Sequence, residues 1–538
     1  MQAMQSPFAA MLHTNAVPSD AERQRIQELL AGPQMEAAHL ASEIKRLQAM
    51  VGELAEKRGH LNDFIDPHVA LLSPARRLPQ DVMEEIFVAA LPSDRNAIMS
   101  SAESPLLLCH VCRTWRAIAL STPRLWGSLH VVVPKNISAL SRINGATITW
   151  LSRSGVLPLS ISLVYPLPSP PWEPQPADFS TLLQTLVRYS SRWSRVRFDY
   201  IPYSFISPLA ALSPADVPIL KTFVFEGDFS QMADISSVVF LGTASLHSLS
   251  IRRIGMITSL PISWNRLRHL SLADRFPFHA DAALRLLRQC PNLETCSLQV
   301  VGVTADASLM SCRMEQLRQF SVAGVTGQLG SLNTDFFERL DLPNLRSLEY
   351  TTTPESPGLI FTPLLGPENL LQCLCFRLAG QLPSEGVLQV LRLVPALREL
   401  VICYDSSLGP EFWTALIPSS QNTRTLCPEL RIVKFVKFKA TPDSVLLEFI
   451  QARTGEFHFE RDIQVTRLEK VHVQLKRSIQ VDIVPALERV IGDGLDLILR
   501  YEPPAVHVPG QGNAAYTQGE RLSDSWDAPD FSDDFSDY

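Results

Sequence analysis

The pair Cys109-x-x-Cys112, with His110 beside it, is the first candidate for chemistry in this sequence of 538 residues. Two cysteines at this spacing can bind zinc or act as a redox pair. Zinc needs further ligands at suitable spacing, however, and the sequence has no second C-x-x-C. Both cysteines also fall in an apolar helical pattern, where a free cysteine packs as a small hydrophobic residue. We therefore interpret the pair as core residues and predict no metal site.

Motifs for nucleotide binding and hydrolysis are missing as well. The sequence contains no P-loop, no H-E-x-x-H zinc motif and no G-x-S-x-G nucleophile elbow. Gly510-x-Gly512-x-x-Ala515 resembles a dinucleotide fingerprint, but no strand–helix context surrounds it. The 12 histidines are scattered, without a cluster that would indicate a catalytic base. These observations predict a protein that is not an enzyme, with no catalytic residue and no cofactor.

The composition predicts a globular protein. Hydrophobic residues make up 46% of the chain and charged residues 19%. The net charge of -7 gives no general attraction to nucleic acid or to an anionic membrane. We expect no membrane span, because no apolar stretch approaches the required length, and no secretory signal at the N-terminus. The 9 cysteines lie in apolar patterns, which indicates a reducing compartment: the cytosol, the nucleus or both.

Apolar residues recur at alternating steps of four and three residues between positions 36 and 66. The members of this seam are Leu40, Ile44, Leu47, Val51, Leu54, Leu61 and Ile65, with Arg58 at the one missing position. This spacing is typical of a coiled coil. Pro33 is expected to separate the coiled coil from a weaker helix in the otherwise flexible residues 1–35, because proline interrupts the helical hydrogen bonds. The seam is compatible with self-association and with a helix that folds back on its own chain.

A compact helical module is predicted between residues 74 and 127. Leu78-Pro79 precedes one amphipathic series, which consists of Val82, Met83, Ile86, Phe87 and Ala90. Proline is tolerated in a first helical turn, where its missing N–H has no partner. A second series consists of Leu108, Val111, Trp115 and Ile118, and Leu125-Trp126 ends the module. The steps of three and four residues give each helix one apolar face.

The order and spacing of these residues resemble the F-box. The resemblance is carried by Leu78-Pro79, Ile86-Phe87, Val111-Cys112-Arg113-x-Trp115-Arg116-x-Ile118-Ala119 and Leu125-Trp126. It implies a helical bundle that binds the small adaptor linking F-box proteins to a cullin scaffold. By this resemblance, the residues at or beneath the adaptor interface are Leu78, Pro79, Ile86, Phe87, Val111, Cys112 and Trp115. We expect Trp126 and Ile118 in the core, and Leu78, Pro79 and Phe87 at the interface. The segment 92–105 is long for the family.

The motif Leu-x-x-Φ-x-Φ, where Φ is apolar, recurs through residues 128–502. Copies start at Leu220, Leu246, Leu267, Leu293, Leu317, Leu345, Leu370, Leu397, Leu430 and Leu468, and a Trp193 version precedes them. Most intervals lie near the ~20–29 residues of leucine-rich repeats. A helical stretch and a proline precede several copies, as before Leu293, so the array resembles an irregular leucine-rich-repeat solenoid. The Asn or Cys usual in such repeats is missing, and its positions hold Asp228, Ile254, Arg275 and Val301.

Side chains that alternate with the buried ones on each strand should share one face. The candidate target-binding face consists of Ser248, Ser250, His269, Ser271, Thr295, Ser297, Gln319, Ser321, Ser347 and Glu349. A second set shares the position after the first leucine: Lys221, Arg268, Arg318, Arg346, Arg398 and Arg431. This basic stripe is either a binding site for an acidic partner or, as we favour, a solvated flank of the array.

The sequence as a whole predicts an α/β protein: a coiled-coil helix, an F-box module, a leucine-rich-repeat-like array and an acidic, disordered tail at 503–538. The expected function is that of a substrate-recognition subunit in a cullin-based (SCF-type) ubiquitin ligase. Its expected partners are the adaptor, the cullin scaffold and a target protein, with no nucleic acid and no membrane. The alternative is a scaffold outside any ligase, in which the F-box-like module only caps the repeats.

Overall fold

A computed structural model of the chain describes most of its length, in two compact units, Met1–Glu85 and Ile86–Tyr538. The described residues are 6–9, 11–12, 14–134, 137–165, 176–201, 207–227, 238–252, 260–273, 277–304, 311–325, 332–352, 359–366, 369–378, 384–403, 408–418, 425–438, 441–455 and 465–502. The predicted acidic tail lies outside these residues, as do Asp228, Ile254, Arg275 and the Gly510 motif.

The first unit is dominated by one helix of 52 residues, α1 (Asp20–Leu71). Ser19 precedes its first turn, and the Ser19 backbone N–H and hydroxyl donate to the Glu22 carboxylate at 2.8 and 2.6 Å. The predicted interruption at Pro33 is wrong, because α1 runs through Pro33 and Pro67. A proline removes a single N–H donor, and the helical bonds on both sides of it continue. A short 3₁₀ helix, Pro74–Arg77, follows.

The helical module consists of three α-helices and a 3₁₀ turn. They are α2 (Gln80–Ala89), α3 (Leu108–Val111), α4 (Arg113–Ser121) and the turn Pro123–Trp126. The second apolar series was expected to form one helix, but the chain is extended at Cys112 (φ -158°, ψ 171°) and divides it into α3 and α4. The Cys112 sulfur accepts a hydrogen bond from the Trp115 N–H at 3.4 Å and so caps α4.

Among the described residues of the second unit, fourteen strands follow one another in chain order in a single parallel sheet. They are β1 (Ser128–Val132), β2 (Leu159–Val164), β3 (Trp193–Ile201), β4 (Thr222–Gly227), β5 (Ser248–Arg252), β6 (His269–Ala273), β7 (Thr295–Val301), β8 (Gln319–Val325), β9 (Ser347–Thr352), β10 (Cys373–Leu378), β11 (Glu399–Cys403), β12 (Ile432–Phe438), β13 (Lys470–Leu475) and β14 (Asp496–Tyr501). Phe278–His279 also pairs with β7, and Cys312–Arg313 pairs with Leu340–Asp341 outside this sheet. The α/β fold class is confirmed, while the leucine-rich-repeat class stays a prediction.

The strand pairing follows from the apolar positions of the repeated motif. One column of opposed residues is buried from β1 to β13: Leu129, Ile161, Val196, Phe223, Leu249, Leu270, Cys296, Phe320, Leu348, Leu374, Leu400, Val433 and Val471. Because side chains alternate along a strand, placing this column in the core turns the intervening residues to the other face. Trp193 lies in the same place as the first leucine of the motif, and it is buried.

One predicted motif start is wrong by a residue. Leu370 is exposed, whereas Leu371 is buried, and Cys373 opposes Ser347 in the sheet. The copy therefore starts at Leu371. The sequence alone did not distinguish two adjacent leucines, although a slip of one residue turns every side chain of a strand to the opposite face.

The segments between the strands vary from long helices to single 3₁₀ turns. The α-helices are α5 (Ile137–Arg153), α6 (Pro176–Val187), α7 (Ser207–Ala210), α8 (Ala280–Gln289), α9 (Thr334–Glu338), α10 (Ser384–Leu393), α11 (Pro410–Leu416), α12 (Asp443–Thr454) and α13 (Val484–Gly492). The 3₁₀ turns are Ser190–Arg192, Pro214–Asp216, Val239–Gly242, Trp264–Arg266 and Thr362–Leu364. Helices pack on the buried face of the sheet, as where Trp413 of α11 meets Phe435 of β12 edge-on at 4.7 Å.

Candidate protein-binding surfaces

The face of the sheet opposite the buried column, here called the open face, carries two rows of small polar side chains. In the central row, Ser250, Ser271, Ser297 and Ser321 oppose one another on β5 to β8. The adjacent row consists of Ser248, His269, Thr295, Gln319 and Ser347 on β5 to β9. Each of these side chains is half-buried, and so is Glu349, the next member of the central row. These ten residues lie on one face of the sheet, and their role in binding a target stays a prediction.

The two polar rows carry no charged side chain between β5 and β8, although Arg252 at the end of β5 is exposed on the same face. His269 contacts the Thr295 hydroxyl through Nδ1 at 3.0 Å, and burial lowers the pKa of its imidazole, which keeps the ring neutral near pH 7. The hydroxyls of Ser271 and Ser297 can each donate and accept hydrogen bonds. This part of the sheet therefore offers a shallow, neutral surface, suited to hydrogen bonding with the backbone and polar side chains of another protein.

Ion pairs flank the two polar rows on β5 to β8, here called the neutral strip, on both sides. Arg197 and Asp199 pair on β3 at 2.8 Å. On the other side, Glu349 of β9 pairs with Arg377 of β10 at 2.5 Å, and further along Lys434 pairs with Glu399 at 2.8 Å. Because these charges are already neutralised in pairs, they attract a charged partner only weakly. They mark the two borders of the strip.

The polar rows end at β10, which the sequence did not predict. Cys375, Val401 and Cys403 occupy positions on the open face, yet all three are buried, with Val436 packed against them. The hydrogen bond with Cys403 and, next, burial raise the pKa of the Cys375 thiol, which keeps it protonated. The two polar rows of β5 to β9 are therefore bordered by a buried apolar patch at β10 and β11.

The basic stripe lies along the edge where the strands begin, and all six of its side chains are exposed. Neighbouring members are linked through the backbone, since the Arg346 N–H donates to the Arg318 carbonyl at 2.8 Å. Three members face glutamates: Arg268–Glu294 at 3.5 Å, Arg398–Glu429 at 3.0 Å and Arg431–Glu469 at 2.9 Å. The stripe is therefore interrupted by acidic side chains, as expected for a solvated flank.

The helical module exposes apolar side chains at several F-box positions. In the first unit, Leu78 and Pro79 are exposed. In the second unit, Ile86 is 45% and Val111 54% exposed, and Cys112 is exposed too. Within each unit, these exposed side chains are available for contact with another protein.

Other residues of the module form its interior. Phe87 is fully buried and its ring lies 4.9 Å from that of Trp115, which is itself half-buried. Phe87 was expected at the interface, but it joins α2 to α4 inside the module and offers no free surface. Ile118 and Trp126 are buried as expected, and the Trp126 indole N–H donates to the Ala119 carbonyl at 2.9 Å. Leu107, 44% exposed, was missed because it lies before α3, outside the periodic pattern.

The two cysteines of the C-x-x-C pair have different environments. Cys109 is buried, and burial raises the pKa of its thiol. Cys112 is exposed, so the prediction that it packs in the core is wrong, because its extended backbone turns it out of the helix. Within the part of the chain that the structure describes, no three His, Cys, Asp or Glu side chains form a group that could hold a metal ion.

None of the helices in the described ranges is long and apolar enough to span a bilayer. In comparisons with known proteins, no family model and no curated protein matches the sequence. Function must therefore be inferred from the residues of this chain alone.

Proposed function

We propose that this protein is the substrate-recognition subunit of a cullin-based (SCF-type) ubiquitin ligase, active in the cytosol, the nucleus or both. In this proposal the helical module is an F-box that binds the ligase adaptor. The parallel sheet and its helices form an irregular leucine-rich-repeat-like solenoid, whose open face binds a target protein.

The exposure of Ile86 and Val111 is the observation that carries the proposal. Both side chains are apolar and remain in water at positions that resemble the F-box, whereas Phe87 and Trp126 are buried. Each Å² of apolar surface left in water forgoes roughly 25 cal/mol of stabilisation, so exposed apolar residues at these positions favour a protein partner. Central apolar side chains commonly supply most of the binding energy in such interfaces.

The neutral strip supports the second half of the proposal. Ser271 and Ser297 lie at the centre of a row whose half-buried hydroxyls can bond to a target without the desolvation cost of charged groups. No residue of this chain needs to perform covalent chemistry in this mechanism. The module holds the chain on the ligase, the strip holds the target, and another subunit transfers ubiquitin at a raised effective concentration.

A second function, capping of the sheet by the module, is favoured by contacts at β1. The His130 N–H donates to the Ala97 carbonyl at 2.8 Å, and Ile98 forms a parallel bridge with the same strand. The Asn96 amide reaches the Ser162 hydroxyl on β2 at 3.1 Å. Residues 96–98 thus cover part of the edge strand, and a covered edge prevents unwanted strand pairing. Capping is compatible with adaptor binding, but it would be the module's whole role in the alternative proposal.

Co-expression with the ligase adaptor separates the two functions. We expect the wild-type chain to co-purify with the adaptor and an Ile86→Asp/Val111→Asp variant to lose it, because both side chains are exposed and the variant should fold. Val156→Asp is the matched control, since Val156 is exposed outside the module. A well-folded wild type that never retains the adaptor would contradict the ligase proposal and leave the capping role.

A further inference from the structure

The seam of α1 is exposed along its whole length, from 46% at Leu47 to 66% at Val51. Its two alternating positions differ in residue type. Position a holds Ile44, Val51, Arg58 and Ile65, and position d holds Leu40, Leu47, Leu54 and Leu61, followed by His68 in the last turn of α1. β-branched residues at a with leucine at d favour a parallel coiled coil of two strands.

We propose that two copies of this chain associate through α1 as a parallel, in-register coiled coil over residues 40–69. Gly52 and Gly59 lie on the outer side of α1, where each lowers intrinsic helix stability. A long helix with exposed apolar side chains and internal glycines gains most of its stability from packing against another element. The inference does not depend on whether the helical module binds an adaptor.

The residues that flank the seam are self-complementary in this arrangement. In a parallel pair, position g of one helix faces position e of the next heptad on the other helix. The resulting pairs are Glu43–Gln48, Met50–Ala55, Lys57–Asn62 and Phe64–Val69. Two pairs are polar on both sides and two are apolar on both sides, and none places like charges together. A second copy of the chain therefore meets a matching surface along the whole seam.

The antiparallel arrangement matches less well. In an antiparallel pair whose seam residues oppose one another, position g of one helix faces position g of the other. Glu43 would then face Phe64, and Met50 would face Lys57. Each contact would bury a charged group against an apolar one, which costs free energy. The flanking residues thus favour the parallel orientation, as the a and d positions do.

Arg58 sets the register of the parallel pair. At an a position, the two Arg58 side chains face each other across the axis, and they can extend their guanidinium groups into water beside the seam. A polar residue at one a position lowers stability but fixes register and oligomeric state. Slipping by one heptad would place each Arg58 beside Val51 or Ile65 of the other copy and bury the charge against an apolar layer.

The mass of the full-length protein in solution is the first test. Light scattering should give twice the chain mass of 59.9 kDa at tens of micromolar protein. A Leu47→Glu/Leu54→Glu variant should raise the dissociation constant at least about 100-fold, because it places charges in the seam. Ser42→Glu/Ala49→Glu, on the outer side of α1, is the matched control and should remain dimeric. A monomeric wild type, or loss of the dimer in both variants, would overturn the proposal.

Disulfide trapping tests the orientation. Cys112 is the exposed one of the nine cysteines, so the experiment uses a Cys112→Ser background. Ile44→Cys should oxidise to a covalent dimer, because in-register parallel helices place the two position-44 side chains together, whereas the antiparallel arrangement separates them by more than about 20 Å along the axis. Glu53→Cys, on the outer side, should not. A dimeric Ile44→Cys variant that fails to cross-link, although its thiol is accessible in the denatured chain, would contradict the parallel arrangement.

Discussion

Arg453 is a cation held inside the second unit by backbone carbonyls. It is 2% exposed, and its guanidinium donates to the carbonyl oxygens of Leu416 at 2.8 Å, Cys427 at 2.9 Å and Leu426. Burial lowers the pKa of Arg453 to about 10, so the side chain stays charged at neutral pH. One side chain thus joins α12 to the end of α11 and to the segment before β12.

We predict that Arg453→Met destabilises the protein by about 3 kcal/mol, because three buried carbonyls lose their donor. Arg453→Lys should recover only part of this, since an ammonium group does not reproduce the planar guanidinium geometry. Urea unfolding at pH 7 measures both changes. Arg392→Met, at an exposed ion pair with Glu385, is the control and should change stability by less than about 1 kcal/mol. An equal, small effect at both arginines would contradict the role assigned to Arg453.

Asp443 makes the stability of the second unit dependent on pH. Burial of its carboxylate opposes ionisation, but the Arg477 guanidinium, the Val481 and Gln480 N–H groups and the Tyr501 hydroxyl donate to it and lower its pKa below the usual value. A lowered folded-state pKa stabilises the fold above the unfolded pKa of about 4, and this contribution is lost as the pH falls through the folded value.

Asp443→Asn should therefore lower the free energy of unfolding at pH 7. In this variant the free energy of unfolding should also decrease less as the pH falls. Urea unfolding of wild type and variant between pH 7 and pH 3 measures both effects, because this range includes the ordinary Asp pKa of about 3.9. Asp482→Asn, an exposed aspartate nearby, is the control. Parallel pH profiles for wild type and Asp443→Asn would contradict the assignment.

Where the periodicity of apolar residues alone decides burial, the sequence predicts buried residues correctly. Ile118 and Trp126 were predicted as core, and they are buried. Phe87 and Cys112 were misplaced for a different reason. Helical spacing shows that a side chain lies on an apolar face, but it does not show whether that face is covered by the same chain or by a partner. The break at Cys112 also depends on tertiary packing that no local pattern reports.

At the scale of elements, the register of the strands decides which side chains are buried. Leu348 lies between Phe320 and Leu374 in the buried column, and Ser347 beside it faces the open side. The recurring motif predicted nearly every strand from β3 to β13. It missed β1, β2 and β14, because the positions equivalent to the first leucine hold Trp126, Pro158 and Gly494. It also misplaced one start, at Leu370.

Leu348→Ala should lower the free energy of unfolding by about 2–5 kcal/mol, because it leaves a cavity in the buried column. Ser347→Ala removes a half-buried hydroxyl from the same strand and should change stability by less than about 1 kcal/mol. Urea unfolding of the two variants gives the comparison. Similar costs at both positions would mean that the assignment of buried and open faces is incorrect.

One substitution in α1 is expected to strengthen the proposed dimer, unlike the destabilising substitutions above. Arg58→Ile completes the apolar a layer of the proposed coiled coil and removes two facing cations. The dissociation constant of the dimer should fall by about tenfold or more, which corresponds to at least about 1.4 kcal/mol. Analytical ultracentrifugation over a dilution series measures it. A weaker dimer in this variant would show that Arg58 makes a favourable contact that the proposed arrangement lacks.

At the scale of the whole molecule, the α/β class and the long N-terminal helix were predictable, because periodic apolar residues extend over many turns and strands. The continuity of α1 through Pro33 was not, since a local rule about proline does not report what the rest of the helix contributes. The division of labour proposed here assigns association to α1, adaptor binding to the helical module and target binding to the neutral strip. Each assignment depends on surface residues, whose partners no pattern within one chain identifies.

Titration of the purified full-length protein with the purified ligase adaptor tests the central claim most directly. The F-box proposal predicts saturable binding to one adaptor per chain, weakened at least about 100-fold by Ile86→Asp/Val111→Asp and unchanged by Val156→Asp, because only the first pair lies in the proposed interface. All three proteins should unfold at similar urea concentrations. Absence of binding by the folded wild type, or equal binding by all three proteins, would contradict the proposal.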